Sequence, residues 1–367
     1  MFFCLIDTRT IRANNADIEG SSSSGRMPHF FSCQRTSHLV RNHSPLATLV
    51  LSSLASCKFI FSLVVCLGLA CPTFAQSVVK TPLDAKRALS YLRKICDIGT
   101  RVTGTKGMEK QQELLEEHFT KLGATVVWQS FATRHPETGA KVTVKNLIVR
   151  WNAELSERVF LCTHYDTRPF PVNDPKNPKG LFIGANDGAS GTALFMEMGN
   201  ALEKLKMSVG VDLVFFDAEE FVYEEPRDPF FLGSTHFATQ YVENPSSPRY
   251  RCGILIDMIG DSDLQLLYEQ NSYRFARPLV EEIWGIAKEL NVKEFKPMIG
   301  YEIKDDHLPL NTIAKIPVID LIDFDYTRAG AKGKSFWHTM ADTPDKCSGS
   351  SMVKVGNVLL EWLRRLK

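Results

Sequence analysis

The residues best placed for chemistry are two adjacent carboxylates, Glu219 and Glu220. They follow Val209 to Phe216, an apolar, β-branched run that reads as a buried strand. Two glutamates just past a buried strand are costly unless a cation or a shared proton compensates them. Ligands of open α/β sheets gather outside the carboxyl ends of strands. His164, Asp187, Asp257 and His338 stand at comparable places, just after predicted strands or in the loops between them. Each histidine alone is as readily a satisfied structural residue. Together with the two glutamates, these positions on one predicted sheet edge point to a cation site. Mixed imidazole and carboxylate ligands suit zinc better than magnesium or copper. Asp166, two residues beyond His164, is placed to accept its ring N–H and fix the tautomer.

The elements that must position these residues follow from periodicity. Helices are expected at 82–97, 108–122, 192–205, 233–241, 276–290 and 352–366. Strands are expected at 124–132 and 141–151, as an antiparallel edge around the turn 136–139, and at 158–163, 209–216, 252–256 and 316–322. Strands alternating with helices predict a three-layer α/β/α sandwich with a mostly parallel, mixed central sheet. Trp284 and Trp362 fall on helix faces and read as core. His236 reads as structural. His307 has Asp305 and Asp306 as sequence neighbours that could orient it or simply be capped by it.

Five motifs together resemble the M28 zinc-peptidase superfamily over roughly residues 85–366. They are His164-Tyr165-Asp166-Thr167, Asn186-Asp187-Gly188-Ala189-Ser190-Gly191, Glu219-Glu220, Ile256-Asp257-Met258-Ile259-Gly260 and Trp337-His338-Thr339. Three further features resemble its glutaminyl cyclase branch: Phe215 to Glu220 followed by Leu232-Gly233-Ser234, Asp305-Asp306-His307-Leu308-Pro309, and Trp337 to Asp342. The resemblance implies that Asp187, Glu220 and His338 hold one catalytic zinc, with Glu219 as general acid/base. It implies that Asp305 and Asp257 form a proton network beside Glu219, and that Trp337 lines the substrate pocket. The substrate would be the N-terminus of a peptide or protein, its glutamine cyclised to pyroglutamate with loss of ammonia.

The chain also carries the ligands of a two-metal aminopeptidase: His164 and Asp257 for one ion, Glu220 and His338 for the other, Asp187 between them. Ligand types leave both activities open, and the element beginning at Asp305 leans toward the cyclase. The chain departs from animal cyclases at Glu225, Lys304 and Asp320, where they carry Trp, Gln and His. Glu225 is expected to make the pocket rim more acidic.

Of 367 residues, 44% are hydrophobic and 23% charged, and the net charge is +1. Such a balance gives no sign of a nucleic-acid partner. Residues 1–75 read as a disordered segment followed by a secretory signal or membrane anchor. Lys58, the apolar run 59–70 and Pro72-Thr73-Phe74-Ala75 support export with cleavage after Ala75. An uncleaved span over residues 46–75 is the only route to a membrane expected here. Residues 76–367 then form a single catalytic domain. Its four cysteines, Cys96, Cys162, Cys252 and Cys347, are widely spaced, and Cys162 and Cys252 read as small core residues.

Overall fold

The computed structural model describes residues 83–244, 248–324 and 335–367. The expected signal, anchor and cleavage point lie outside the described residues. Among the described residues, no helix is long and apolar enough to cross a membrane.

A six-stranded sheet runs through the molecule. Its strands are β1 (Thr125–Arg134), β2 (Lys141–Trp151), β3 (Glu157–His164), β4 (Gly210–Phe216), β5 (Arg249–Asp257) and β8 (Val318–Ile322), in the order β1-β2-β4-β3-β5-β8. The β1–β2 hairpin is antiparallel, as expected, and β2 joins β4 antiparallel. The β4-β3-β5-β8 block is parallel. These four strands are buried along nearly their whole length, as a sheet covered on both faces requires.

Side chains alternate between two cores. Leu161, Leu213, Phe215, Ile254, Ile256 and Leu321 face one side. There they meet α1 (Ala85–Cys96), α2 (Lys106–Lys121), α3 (Ala189–Leu202), α5 (Gln270–Glu289) and α7 (Gly349–Arg365). Phe160, Cys162, Val214, Phe216 and Leu255 face the other side, against α4 (Leu232–Glu243) and α6 (His307–Thr312). The three layers are those expected. Trp362 is fully buried and Trp284 nearly so. His236 stacks on Phe131.

Three elements were not expected, the short helix α6 and two strands. A small parallel pair, β6 (Leu266–Tyr268) with β7 (Phe295–Ile299), lies beside α5. Helix α5 also starts earlier than the periodicity indicates, at Gln270. It bends at Ala276, two residues before Pro278, whose ring cannot continue a regular ladder.

Register brings the chemistry together. His164 pairs with Phe216 across β3 and β4, and Asp257 with Ile322 across β5 and β8. All four parallel strands therefore end at one edge of the sheet. Gly191 lets α3 approach β3 closely, since a Cβ there would lie 2.2 Å from Thr163 Oγ1.

Candidate metal centre and active site

The exit of β4 turns sharply. Ala218 adopts φ +58°, a left-handed conformation uncommon outside glycine, and the next two residues carry the glutamates. Asp166, just past β3, holds this turn. Its Oδ1 and Oδ2 accept the backbone amides of Glu219 and Glu220, each at 3.1 Å. This corrects the expectation that Asp166 fixes the His164 ring, because Asp166 Oδ1 stands 3.6 Å from His164 Nδ1, beyond a hydrogen bond. The loop after Glu220 returns to its origin through Phe231 N to Glu219 O (3.0 Å) and Leu232 N to Ala218 O (3.1 Å).

Asp187 sits in the loop before α3. The Asp342 carboxylate accepts the amides of Asn186 (2.8 Å) and Asp187 (3.1 Å), and Asn186 Oδ1 accepts from Gly260 N past β5. Gly188, at φ +87°, leaves room for the neighbouring strand exit: a Cβ would fall 2.6 Å from Asp166 O and 3.2 Å from the His164 ring. His338, at φ +54°, is placed by its own carbonyl, which accepts from Asn173 N, and by Met340 N donating to Asp174. Met258 beside Asp257 is also left-handed, at φ +49°. Two strand exits and the His338 loop thus carry the kind of backbone strain that clusters at functional sites.

The side chains then converge. The Asp187 carboxylate lies between two imidazoles, with Oδ1 3.2 Å from His164 Nε2 and Oδ2 3.3 Å from His338 Nε2. His338 Nε2 is also 2.7 Å from Glu220 Oε1, and His164 Nε2 is 3.1 Å from Asp257 Oδ1. One ring N–H cannot serve two carboxylates at once. Asp187 Oδ2, Glu220 Oε2, His164 Nδ1 and His338 Nδ1 are buried without a hydrogen-bond partner among the described residues. Donor atoms of Asp187, Glu220 and His338 lie close enough to hold one ion. So do those of His164, Asp187 and Asp257, and of His164, Glu219 and Glu220. Orphaned buried oxygens around facing imidazoles fit a divalent metal.

A small pocket opens on this cluster. Asp187, Glu219, Glu220, Asp257, Asp305 and His338 form its acidic side, and Trp337, Phe324 and Phe230 contribute aromatic wall. Trp337 stacks on His338 with ring centroids 3.9 Å apart.

The model of peptidase family M28 matches residues 146–363, more than half of the chain. The chain belongs to this family. Glutaminyl cyclase from Fimbriiglobus ruber is 40% identical at a TM-score of 0.73, covering 78% of this chain and 97% of that one. A Zn-dependent exopeptidase from Parabacteroides distasonis is 30% identical at a TM-score of 0.70, covering 77% of this chain and 98% of that one. Bovine glutaminyl-peptide cyclotransferase is 26% identical over 253 residues, which is 59% of this chain and 66% of the bovine one.

Within this M28 site the charges are finely divided. Burial, then the Glu220 carboxylate, raises Glu219 well above the usual range. Burial raises Asp305 similarly, reinforced by Asp257 and Asp306, and raises Asp257 itself. Burial would also raise Asp187, but the flanking His164 and His338 imidazoles outweigh it and hold the group low. Two kinds of carboxylate result, one kept ionised between imidazoles and others inclined to hold a proton.

The M28 site also contains residues whose contribution the sequence reading missed. Asp342, pushed up to about 8 by burial and then by Asp187, positions the loop bearing Asp187. Arg168 is buried behind Glu220. Glu225 does not acidify the pocket rim as expected, because its carboxylate is bound by Arg168 Nη2 at 2.8 Å. His307 is not oriented by its sequence neighbours either: its ring faces Glu269 (3.4 Å) and Asp320 (3.9 Å). The Asp306 carboxylate instead accepts from Ser234 Oγ. Asp320 therefore lies buried beside His307, while Lys304 lines the cavity.

Proposed function

We propose that this chain is a zinc-dependent glutaminyl-peptide cyclotransferase, converting N-terminal glutamine of peptides or proteins to pyroglutamate with release of ammonia. The observation that carries this reading is the proton-holding wall of Glu219, Asp257 and Asp305, which lines the same small cavity as the cluster Asp187, Glu220 and His338. The F. ruber relative supports the same reading.

Asp187, Glu220 and His338 would hold the zinc, which when bound supplies a Lewis acid for the glutamine γ-carbonyl. The reaction is an intramolecular aminolysis. The free α-amine forms a bond to the γ-carbon, the bond from that carbon to the amide nitrogen breaks, and one proton moves from the amine to the departing ammonia. The nucleophile is tethered, so positioning lowers the barrier without any need to activate water. Trp337, Phe324 and Phe230 orient the bound side chain and exclude water. Glu219 takes the amine proton and returns it to the leaving nitrogen, and its raised proton affinity suits both steps. Asp305 raises that affinity further from the adjacent wall, and Asp257 in turn raises that of Asp305.

A glutamine-initiated peptide incubated with the purified protein should lose the mass of one ammonia. Release of free amino acid in its place would refute the assignment. The aminopeptidase reading is favoured by one observation, the additional ligand group His164, Asp187 and Asp257. It requires two zinc ions per chain by elemental analysis, whereas the cyclase needs one. We also propose export through residues 46–75, supported by the apolar run 59–70. Mass spectrometry of the extracellular protein would find residue 76 first, as glutamine or its pyroglutamyl form, if Ala75 is the cleavage point.

A further inference from the structure

Arg168 is 1% exposed and lies in the segment leaving β3, four residues past His164. Its Nη2 donates to Glu225 at 2.8 Å, and its Nη1 is 3.8 Å from Glu220 Oε1. The guanidinium carbon lies 5.6 Å from the centroid of the Phe230 ring. Among the described residues, Nε and Nη1 have no hydrogen-bond partner. A buried guanidinium with unfilled donors is a poor structural choice. Arg158 in the same sheet shows the alternative, with Nε, Nη1 and Nη2 all bonded.

The groups around Arg168 suggest what its placement achieves. Glu220 is a candidate metal ligand, Glu225 lies within the following loop, and Phe230 near that loop's end lines the cavity. One cation thus binds the loop through Glu225, lies over the Phe230 wall and stands within ion-pair range of Glu220 without a hydrogen bond to it. We propose that Arg168 is a positioning residue. It aims the Glu220 carboxylate at the metal and, through Glu225 and Phe230, locks the 221–231 loop so that metal site and pocket wall form together. This rests on the reading of Glu220 as a zinc ligand.

The experiment measures zinc affinity by chelator competition, independently of which reaction the enzyme performs, beside kcat, KM and thermal stability. R168M keeps side-chain bulk and removes the charge. It should weaken zinc binding by about 10–100-fold, the usual effect of removing a group that orients a ligand. The metal-free variant should unfold no earlier than the metal-free parent. Zinc binding equal to or tighter than the parent's would overturn the proposal, because repulsion between guanidinium and metal alone predicts that result. R168K keeps the charge but cannot span both carboxylates, and it serves if R168M does not fold. It should retain zinc affinity and show a raised KM, and parental values of both would overturn the coupling. E225Q should raise KM by a larger factor than it lowers kcat, and an unchanged KM would overturn the loop's part. E220Q is the control. If it binds zinc as the parent does, the ligand assignment falls and the proposal with it, whereas loss of binding in E220Q with none in R168M refutes Arg168 alone.

Discussion

Strand β4 holds buried carboxylates at both ends, and the two ends are built on opposite principles. Near its start, Asp212 is fully buried and completely bonded. Arg158 Nε and Nη2 donate to Oδ1, and the Tyr250 hydroxyl donates to Oδ2. The remaining Arg158 donors reach the carbonyls of Trp151, Asn152, Leu155 and Val211. Past its end, Glu220 Oε2 is buried with no hydrogen-bond partner among the described residues, as is Asp187 Oδ2 opposite. Burial is similar, so the difference lies in what satisfies the charge. A closed network marks a structural ion pair, while orphaned oxygens facing imidazoles mark a place for a cation. The same contrast separates Arg158 from Arg168.

The comparison is sharpest when one group is altered at each end. Glu219→Gln should lower kcat by about 10²–10⁴-fold, the scale of a lost general acid/base. It should not lower the unfolding temperature, because burial and Glu220 already oppose ionisation of Glu219. Steady-state kinetics beside thermal melts would test this, and parental kcat would remove Glu219 from the mechanism. Asp212→Asn should do the reverse. Leaving Arg158 without its counter-ion should cost about 3–5 kcal/mol of stability. Turnover per folded molecule should stay at the parental level, read from denaturant titration and activity of the folded fraction.

The two ends also differed in how legible they were. The glutamates could be found because an apolar strand ending in two acids violates the usual pattern. The parallel strands were found for the related reason that their β-branched runs are continuous. Asp212 could not be separated from an ordinary strand residue, since its partners Arg158 and Tyr250 are 54 and 38 residues away. Asp166 was misread because proximity in sequence suggested His164, whereas the chain exit aims the carboxylate at amides 53 and 54 residues distant. Arg168 carries no signal in the sequence, because its partners Glu225 and Phe230 lie in the 221–231 loop, far along the chain. Strands β6 and β7, of three and five residues, are too short and too exposed to carry a periodic signal.

Adding zinc probes one end and should be silent at the other. An ion that binds only the folded protein stabilises it by about 2.7 kcal/mol at a hundredfold excess over its dissociation constant. The stabilisation should persist in full in the Asp212→Asn protein and shrink in a His338→Ala protein. Equal stabilisation of parent and His338→Ala would place the ion elsewhere. Denaturant midpoints with and without zinc supply the measurement.

The smallest effect tests whether closure of a network or its burial gives Asp212 its weight. Glu361 on α7 is bonded as completely, through Arg364 at 2.7 and 2.6 Å and Arg365 at 2.7 Å, but those arginines are exposed. The hydrogen bond from Arg364 holds its carboxyl down at about 2 against an ordinary 4.5, although burial opposes the shift. A depressed acid contributes stability in full above its unfolded value and loses it as pH falls from about 4.5 toward about 2. Solvent screens such a pair, so Glu361→Gln should cost less than about 1 kcal/mol near neutral pH. The cost should vanish at the acid end of that window and shrink in molar salt. Denaturant titrations across pH and salt give the comparison. A salt-insensitive loss as large as that of Asp212→Asn would mean that closure of the network, rather than burial, sets the strength of both.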